Sequence, residues 1–257
     1  MRRSHLFTSA PSARGQSEGH SSPSHPRSAG QRERPSPSLA LLQSGAGAGG
    51  GAARTADTVV LVHGLWLTGV ESALLRRRLS GLGFNVQQFS YRTVRAGLEE
   101  NVRDLHAFVT ALAAPVVHLV GHSLGGLVIL RLNERYTDLP PGRSVVLASP
   151  VGGSQAAEGL ARRAWGRRIL GRCLAEAVLK RPAWRAGGRE TGVIAGGLGI
   201  GLGRLFATFD GPHDGTVAVS ETRLADAIAH RVLAVSHLSL LFSREVAAEV
   251  AHFLEFG

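Results

Sequence analysis

The chain has 257 residues, of which 44% are hydrophobic, and it carries a formal net charge of +10. These values favour one folded domain of ordinary size preceded by a tail. The single cysteine, Cys173, excludes an internal disulfide. The sequence contains no run of apolar residues long enough to predict a membrane-spanning helix. No apolar export segment follows the Arg2-Arg3 pair, so we expect a cytoplasmic protein by default.

Residues 1–56 differ in composition from the rest of the chain. They are rich in Ser, Pro, Gly and Arg, and they contain few large apolar side chains. Such a segment cannot bury enough apolar surface to offset the entropy lost on ordering. We therefore predict a disordered low-complexity tail over residues 1–56 and a folded domain over residues 57–257.

The positive charge is shared equally between the tail and the domain. Residues 1–56 hold seven Arg and two acidic residues, which gives +5, and the remainder also carries +5. The arginines form no stripe interleaved with aromatic residues, so the sequence predicts no nucleic-acid binding. A peripheral contact with an anionic lipid surface is the macromolecular interaction that the charge favours. Nothing in the sequence indicates the oligomeric state.

Strand and helix patterns alternate along the domain. They predict strands at residues 58–62, 84–89, 115–120, 144–148, 191–195 and 231–235, and helices at residues 74–82, 98–112, 126–134 and 244–254. Repeated units of this kind predict an α/β fold with a mostly parallel twisted sheet and helices on both faces. Residues 152–189 mix apolar side chains with arginines, which fits either a small cap insertion or two ordinary surface helices.

The segment Gly121-His122-Ser123-Leu124-Gly125 fits the pattern G-x-S-x-G between a predicted strand and a predicted helix. This context is typical of a nucleophile elbow, in which the chain turns sharply around the serine. The small residues on either side allow close approach of neighbouring backbone. The helix N-terminus would direct N–H groups at an anion formed there. We predict that Ser123 is a nucleophile, and the alternative is a serine that only caps the helix.

Three further features fall at the carboxyl ends of predicted strands, where active sites of such sheets lie. His63-Gly64-Leu65-Trp66 follows the first strand, a turn-rich loop contains Asp210 and Asp214, and His237 follows the last strand. The order Ser123, an aspartate, His237 is one in which nucleophile, acid and base can assemble. The sequence therefore predicts that these side chains converge at one sheet edge.

Taken together, these motifs resemble the α/β-hydrolase superfamily, and within it bacterial lipases and esterases and the inositol-deacylase-like lipases. The resemblance implies hydrolysis of carboxylic esters through an acyl-enzyme, without an organic cofactor. It implies Ser123 as nucleophile, His237 as base and Asp214 as the residue that orients the base. The backbone N–H groups of Leu65 and Leu124 would form the oxyanion hole.

The choice of acid and the roles of the other histidines are separate predictions. Asp214 is preferred over Asp210 because Gly215 frees its backbone, whereas Asp210 would shape the turn by a local hydrogen bond. His63 and His122 are expected to be structural.

The substrate is expected to be a small-molecule or lipid ester with a lipid-like or medium-chain acyl group. Acyltransferase or thioesterase activity would use the same residues, and a non-catalytic binding protein is the rival class. The sequence has neither Cys/His spacing for a metal site nor an acidic cluster for calcium.

Overall fold

The computed structural model describes residues 57–180 and 182–257, so the prediction for the tail, residues 1–56, lies outside the described residues. Within the described part, the strands are β1 (Thr58–Val62), β2 (Asn85–Phe89), β3 (Val117–His122), β4 (Ser144–Leu147), β5 (Thr191–Gly196) and β6 (Ala229–Leu233). The α-helices are α1 (Ala73–Gly81), α2 (Leu98–Ala111), α3 (Leu124–Arg135), α4 (Gln155–Ala161), α5 (Gly166–Leu174) and α6 (Arg244–Phe256). None of these helices combines the length and the apolar content that crossing a membrane requires.

The strands form one sheet in the order β2-β1-β3-β4-β5-β6, and every neighbouring pair is parallel. The crossovers between parallel strands require connections long enough to hold helices. Because all strands run the same way, the residues that follow them meet at a single edge of the sheet. The predicted α/β fold with a parallel sheet is confirmed.

Alternate side chains of each central strand pack against opposite layers of helices. Val59 and Leu61 belong to a core with α1 and α6, whereas Val60 and Val62 belong to a core with α2 and α3. All five residues of β1 are buried. This explains why the central strands appear in the sequence as continuous apolar runs rather than as alternating patterns.

Only β1 has the predicted bounds; β2, β4 and β5 differ by one residue at one end, whereas β3 and β6 are each displaced by two residues at both ends. β3 continues two residues further, to His122, because its last four residues pair in register with β4. β6 begins and ends two residues earlier than predicted. It lies at the edge of the sheet and is largely half-exposed, and the N–H of Val235 bonds to Leu233 in the turn that follows. An edge strand of this kind carries a weak apolar pattern.

Residues 152–180 and 182–189, which we call the insertion, lie between β4 and β5 and contain α4, α5 and a π-helical turn, Ala175–Leu179. Helix α5 is kinked at Gly171, whose φ is 74°. A Cβ there would lie 2.4 Å from the Cα of Val94. The N–H of Arg172 donates to the Val94 carbonyl at 2.9 Å. The kink therefore follows from close packing of the insertion against the loop that precedes α2.

Candidate active site

Ser123 occupies a sharp turn between β3 and α3. Its φ of 54° and ψ of −119° lie in a region that residues with a side chain rarely adopt. The turn is held by two backbone hydrogen bonds, from Ser123 N to Leu147 O at 2.8 Å and from Gly126 N to Ser123 O at 3.1 Å. Within the described residues the Ser123 hydroxyl has no hydrogen-bond partner. The turn thus presents a free hydroxyl in a strained backbone conformation.

The glycines of the motif permit the close packing that this turn needs. A Cβ on Gly121 would lie 2.5 Å from Gly126 N, and a Cβ on Gly125 would lie 2.2 Å from Val62 O. Both contacts are to backbone atoms, which cannot move aside as the end of a side chain can. The glycines are required because α3 starts directly against β1, as the motif predicted.

His237, which follows β6, and Asp214, which lies in the loop between β5 and β6, form a hydrogen-bonded pair. The Nδ1 of His237 lies 2.7 Å from the Oδ2 of Asp214, and the backbone N–H of His237 donates to the Asp214 carbonyl at 2.9 Å. The other carboxylate oxygen of Asp214 accepts hydrogen bonds from the N–H groups of Thr216 and Val217, at 2.8 and 2.7 Å. Both side chains are buried. The imidazole is therefore fixed in orientation, with its Nδ1 proton directed at the carboxylate.

The environment of Asp214 keeps the carboxyl ionised. Burial acts to raise its pKa, but the charge of His237 and the hydrogen bonds from His237, Val217 and Thr216 outweigh burial, and the pKa is lowered. Asp210 is exposed and has no polar partner in the described part of the chain. Of the two acids in the loop, the structure brings only Asp214 to His237.

Gly215 allows the loop to place Asp214 in this position. Its φ of 93° lies in the left-handed region, and a Cβ would lie 2.2 Å from the carbonyl carbon of Ile200. The ring of His213 stacks on Phe209 and its Nδ1 accepts a hydrogen bond from Gly215 N at 3.0 Å. His213 therefore shapes the loop from its outer side.

Ser123 and His237 line one cavity of about 490 Å³. Its walls are mainly apolar and include Leu65, Leu160, Leu170, Leu174, Phe206 and Val217. Leu160, Leu170 and Leu174 come from the insertion, so the insertion forms part of the cavity wall. In the described residues, the backbone N–H groups of Leu65 and Leu124 donate to no protein acceptor. Two unused donors thus remain on the elements that flank Ser123.

His122 supports the segment that carries His237. Its Nε2 lies 2.9 Å from the His237 carbonyl, so this nitrogen carries a proton and donates it. The two ring centroids are 4.7 Å apart. Burial, followed by the charge of the nearby His237, lowers the pKa of His122 to about 3. His122 is therefore a neutral, buried group that fixes the backbone of a residue 115 positions away.

His63 has a similar supporting position under the loop after β1. Its Nδ1 lies 2.9 Å from the carbonyl of Gly64, and its Nε2 accepts the N–H of Tyr91 at 3.2 Å. The Tyr91 hydroxyl donates to the His63 carbonyl, and the two rings stack at 4.6 Å. Because both ring nitrogens are already bonded, His63 is left without a free nitrogen for proton transfer.

Trp66 and Glu221 connect the sheet edge to the insertion. The indole N–H of Trp66 donates to the carbonyl of Ile169 in α5 at 3.0 Å. The buried carboxylate of Glu221 accepts the N–H of Gln155 at 2.7 Å, and its backbone carbonyl accepts the N–H of Gly152 at 2.7 Å. Burial is the main reason that the pKa of Glu221 is raised. Its other carboxylate oxygen accepts the N–H of Ala218 at 2.8 Å, three residues away, whereas the two partners in the insertion lie more than 60 residues away and leave no local pattern in the sequence.

Over residues 57–180 and 182–257, no group of three or more His, Cys, Asp or Glu side chains is placed to hold a metal ion.

Comparisons with solved structures show the same fold in bacterial and archaeal enzymes. The mature lipase BlEst2 of Bacillus licheniformis superposes with a TM-score of 0.60 at 17% identity, over 77% of this chain and 93% of that one. A metagenomic carboxyl esterase, MGS0156, gives a TM-score of 0.58 at 21% identity, over 74% and 67% of the two chains. An esterase of Pyrococcus furiosus gives 0.58 at 17% identity, over 79% and 82%. At sequence identities this low, the superpositions show a common fold alone.

Sequence comparison identifies the family directly. No curated protein matches the chain. A family model described as "Alpha/beta hydrolase family" matches residues 59–243, which is more than half of the sequence and includes every element from β1 to β6. The chain therefore belongs to the alpha/beta hydrolase family.

Proposed function

We propose that the protein is a serine hydrolase that cleaves carboxylic esters through an acyl-enzyme. The observation that carries this proposal is the meeting of Ser123 and the buried Asp214–His237 pair at one apolar cavity. A serine hydroxyl is a poor nucleophile at neutral pH and needs an adjacent base. The strained turn, the oriented imidazole and the ionised carboxylate together supply the required parts.

In the proposed reaction, His237 takes the Ser123 proton through its Nε2 as the serine oxygen attacks the ester carbonyl. Asp214 holds the imidazole in the tautomer that leaves Nε2 free to accept, and it stabilises the imidazolium that forms. The carbonyl oxygen gains the negative charge and accepts hydrogen bonds from the N–H groups of Leu65 and Leu124. Each such donor is typically worth ~3 kcal/mol in the transition state.

The second half of the reaction reuses the same groups. The imidazolium returns its proton to the alcohol oxygen as the bond between that oxygen and the acyl carbon breaks. Water then attacks the acyl-Ser123 ester while His237 accepts one of its protons. The imidazolium then returns this proton to the Ser123 oxygen as the acyl–oxygen bond breaks, which releases the carboxylic acid and restores the serine hydroxyl without a cofactor or net redox change.

The cavity supports an ester with an apolar acyl group of medium length. Its volume of about 490 Å³ lies in the range of small-molecule sites, and its walls are mostly aliphatic. The structural neighbours described as lipases and esterases are consistent with this substrate class. We expect kcat/KM for p-nitrophenyl esters to rise from acetate to octanoate. A steep fall beyond acetate would indicate a small-ester enzyme instead.

Labelling with a fluorophosphonate probe tests the proposal. We expect stoichiometric modification at Ser123, and we expect Ser123→Ala to abolish labelling and to lower ester turnover by on the order of 10⁴- to 10⁶-fold. Ser80→Ala, which removes an exposed hydroxyl on α1, is the matched control and retains both properties. Absence of labelling in a folded wild-type protein would instead identify a non-catalytic binding protein.

A further inference from the structure

Large apolar side chains face solvent around the mouth of the cavity. Trp66, Ile200, Leu202 and Leu238 all line the cavity, yet they are 54%, 65%, 74% and 52% exposed. Soluble proteins seldom leave such side chains grouped at one place unless a partner or an interface covers them. The exposed apolar side chains at the mouth therefore indicate a surface that binds a partner or an interface.

The segment after β5 extends this exposed surface. Leu198 and Leu205 are also exposed, and they flank the two aliphatic residues of the same segment that line the cavity. A short 3₁₀ turn, Leu202–Leu205, ends the segment. We call the six side chains the apolar rim: Trp66, Leu198, Ile200, Leu202, Leu205 and Leu238.

An uncompensated positive charge lies next to the apolar rim. Five arginines of the insertion are exposed, and none of them forms an ion pair with a residue that the structure describes. They are Arg162, Arg163, Arg167, Arg168 and Arg172, and we call them the arginine run. Trp165 and Ile169, in the same stretch, are exposed as well. The Ile169 carbonyl accepts the indole N–H of Trp66, and Leu160 and Leu170 line the cavity, so the segment that carries the arginine run borders the cavity.

We propose that the apolar rim and the arginine run dock the protein onto an anionic phospholipid surface with the cavity mouth facing the lipid. The apolar side chains enter the boundary between headgroups and acyl chains. The guanidinium groups bind lipid phosphates, and their aliphatic stems lie along the apolar surface. Charge complementarity selects an anionic lipid surface over a neutral one.

Docking to a lipid surface is a property separate from ester hydrolysis, and vesicle binding can be measured without any turnover. A surface that holds the mouth against lipid would let an apolar ester enter the cavity directly from the bilayer. Docking and catalysis can therefore fail independently, and each has its own measurement.

Sedimentation of the full chain with vesicles tests the docking surface. We expect the partition coefficient to be at least about tenfold higher on vesicles of phosphatidylglycerol and phosphatidylcholine than on phosphatidylcholine alone, and to fall as salt is added. The triple variant Arg162→Gln, Arg163→Gln, Arg168→Gln is expected to lose most of this difference, by about tenfold or more.

A matched triple variant separates the arginine run from positive charge elsewhere. Arg76→Gln, Arg77→Gln, Arg244→Gln removes three exposed charges from α1 and α6, on the other layer of the sheet. It is expected to bind vesicles within about twofold of wild type, because only charges near the lipid surface contribute. Residues 1–56, with their seven arginines, are present in both variants. Equal loss in the two variants, or equal binding to neutral vesicles, would overturn the proposal.

Tryptophan fluorescence tests the orientation. Trp66, which lines the cavity, and Trp165, which lies in the same stretch as the arginine run, are exposed, whereas Trp184 is buried. Vesicles with brominated acyl chains should quench the emission of the bound protein, and the variant Trp66→Phe, Trp165→Phe should lose that quenching. Bound protein without quenching would refute the orientation. A dimer that dissociates on Leu202→Ser, Leu205→Ser, together with no vesicle binding, would assign the rim to a second copy of the chain.

Discussion

At the carboxyl edge of the sheet, Leu65 and Leu124 hold backbone N–H groups that donate to no described residue, beside a cavity of about 490 Å³. At the amino edge, a larger cavity of about 990 Å³ is lined by apolar residues together with polar ones that include His118, Arg143 and Arg189. There the guanidinium of Arg189 donates to the carbonyls of Pro140, at 2.7 Å, and of Val117. The Nδ1 of His118 accepts the N–H of Arg143 at 2.9 Å.

The difference between the edges shows what marks the candidate site in this molecule. The amino edge has the larger cavity and contains the guanidinium of Arg189, but this group donates hydrogen bonds to backbone carbonyls near the starts of the strands. The carboxyl edge has unused donors, a strained serine and an ionised carboxylate behind an imidazole. Catalysis needs groups that are pre-organised and still free to bind a transition state. Unused backbone N–H groups beside a serine in a strained conformation therefore indicate the candidate active site better than cavity volume does.

The largest expected effect at the carboxyl edge comes from Asp214→Asn. This change keeps the size of the side chain but removes the negative charge that fixes the His237 tautomer, so kcat/KM should fall by about 10⁴-fold. Asp210→Asn, in the same loop, should stay within about twofold, because exposed substitutions away from such contacts have small effects. Steady-state hydrolysis of a p-nitrophenyl ester measures both. A larger loss in Asp210→Asn would identify that residue as the acid.

An intermediate effect is expected at the amino edge from Arg189→Met. Burial lowers the pKa of Arg189 to about 10, and its guanidinium serves two backbone carbonyls. Removing the donor should lower the free energy of unfolding by about 1–3 kcal/mol, as measured by urea denaturation. The kcat/KM of the folded enzyme should not change. A loss of kcat/KM without a loss of stability would contradict the view that the amino edge contributes only to stability.

An effect confined to acidic pH concerns His122. Its pKa is about 3 in the folded protein, against about 6.5 for an unfolded histidine. Between these values the unfolded state binds one more proton, so the stability contributed at higher pH is lost as pH falls, by about 1.4 kcal/mol per pH unit at most.

Comparison of wild type with His122→Gln isolates that contribution. Glutamine keeps an N–H donor for the His237 carbonyl but does not titrate. Urea denaturation at several acidic pH values should give a slope of unfolding free energy against pH that is smaller in the variant by about one proton. Identical slopes would show that His122 is not the buried neutral imidazole described above.

The sequence predicted the parallel sheet and its order of elements because the central strands are short, apolar and buried on both faces. β1 lies at residues 58–62, as predicted. The prediction was weaker for β6, whose half-exposed edge position leaves little apolar pattern, and its bounds were wrong by two residues. The α5 kink was not predictable, because it depends on contact with Val94 from a distant part of the chain.

The candidate site shows the same division between local and distant information. Ser123 and His237 were singled out because each closely follows a strand that the local pattern reveals, and Asp214 because it precedes Gly215 in a turn-rich loop. His122 was expected to be structural, but its hydrogen bond to the His237 carbonyl, 115 residues away, was not predicted, and neither was the hydrogen bond of Glu221 to Gln155, 66 residues away. Long-range hydrogen bonds of this kind leave no periodic trace in a single sequence. The catalytic roles of the three residues remain predictions for the experiments above.

The carboxylate and carbonyl of Glu221 fasten the first residues of the insertion to the same loop that carries Asp214. Mutations in the insertion that reshape the cavity are therefore expected to displace the segment that positions Asp214, the proposed acid. The shape of the cavity and the position of Asp214 are thus coupled through these two hydrogen bonds, which would constrain substitutions that change the proposed acyl specificity. A chimaera that borrows a relative's insertion should work best when residues 214–222 are transplanted with it.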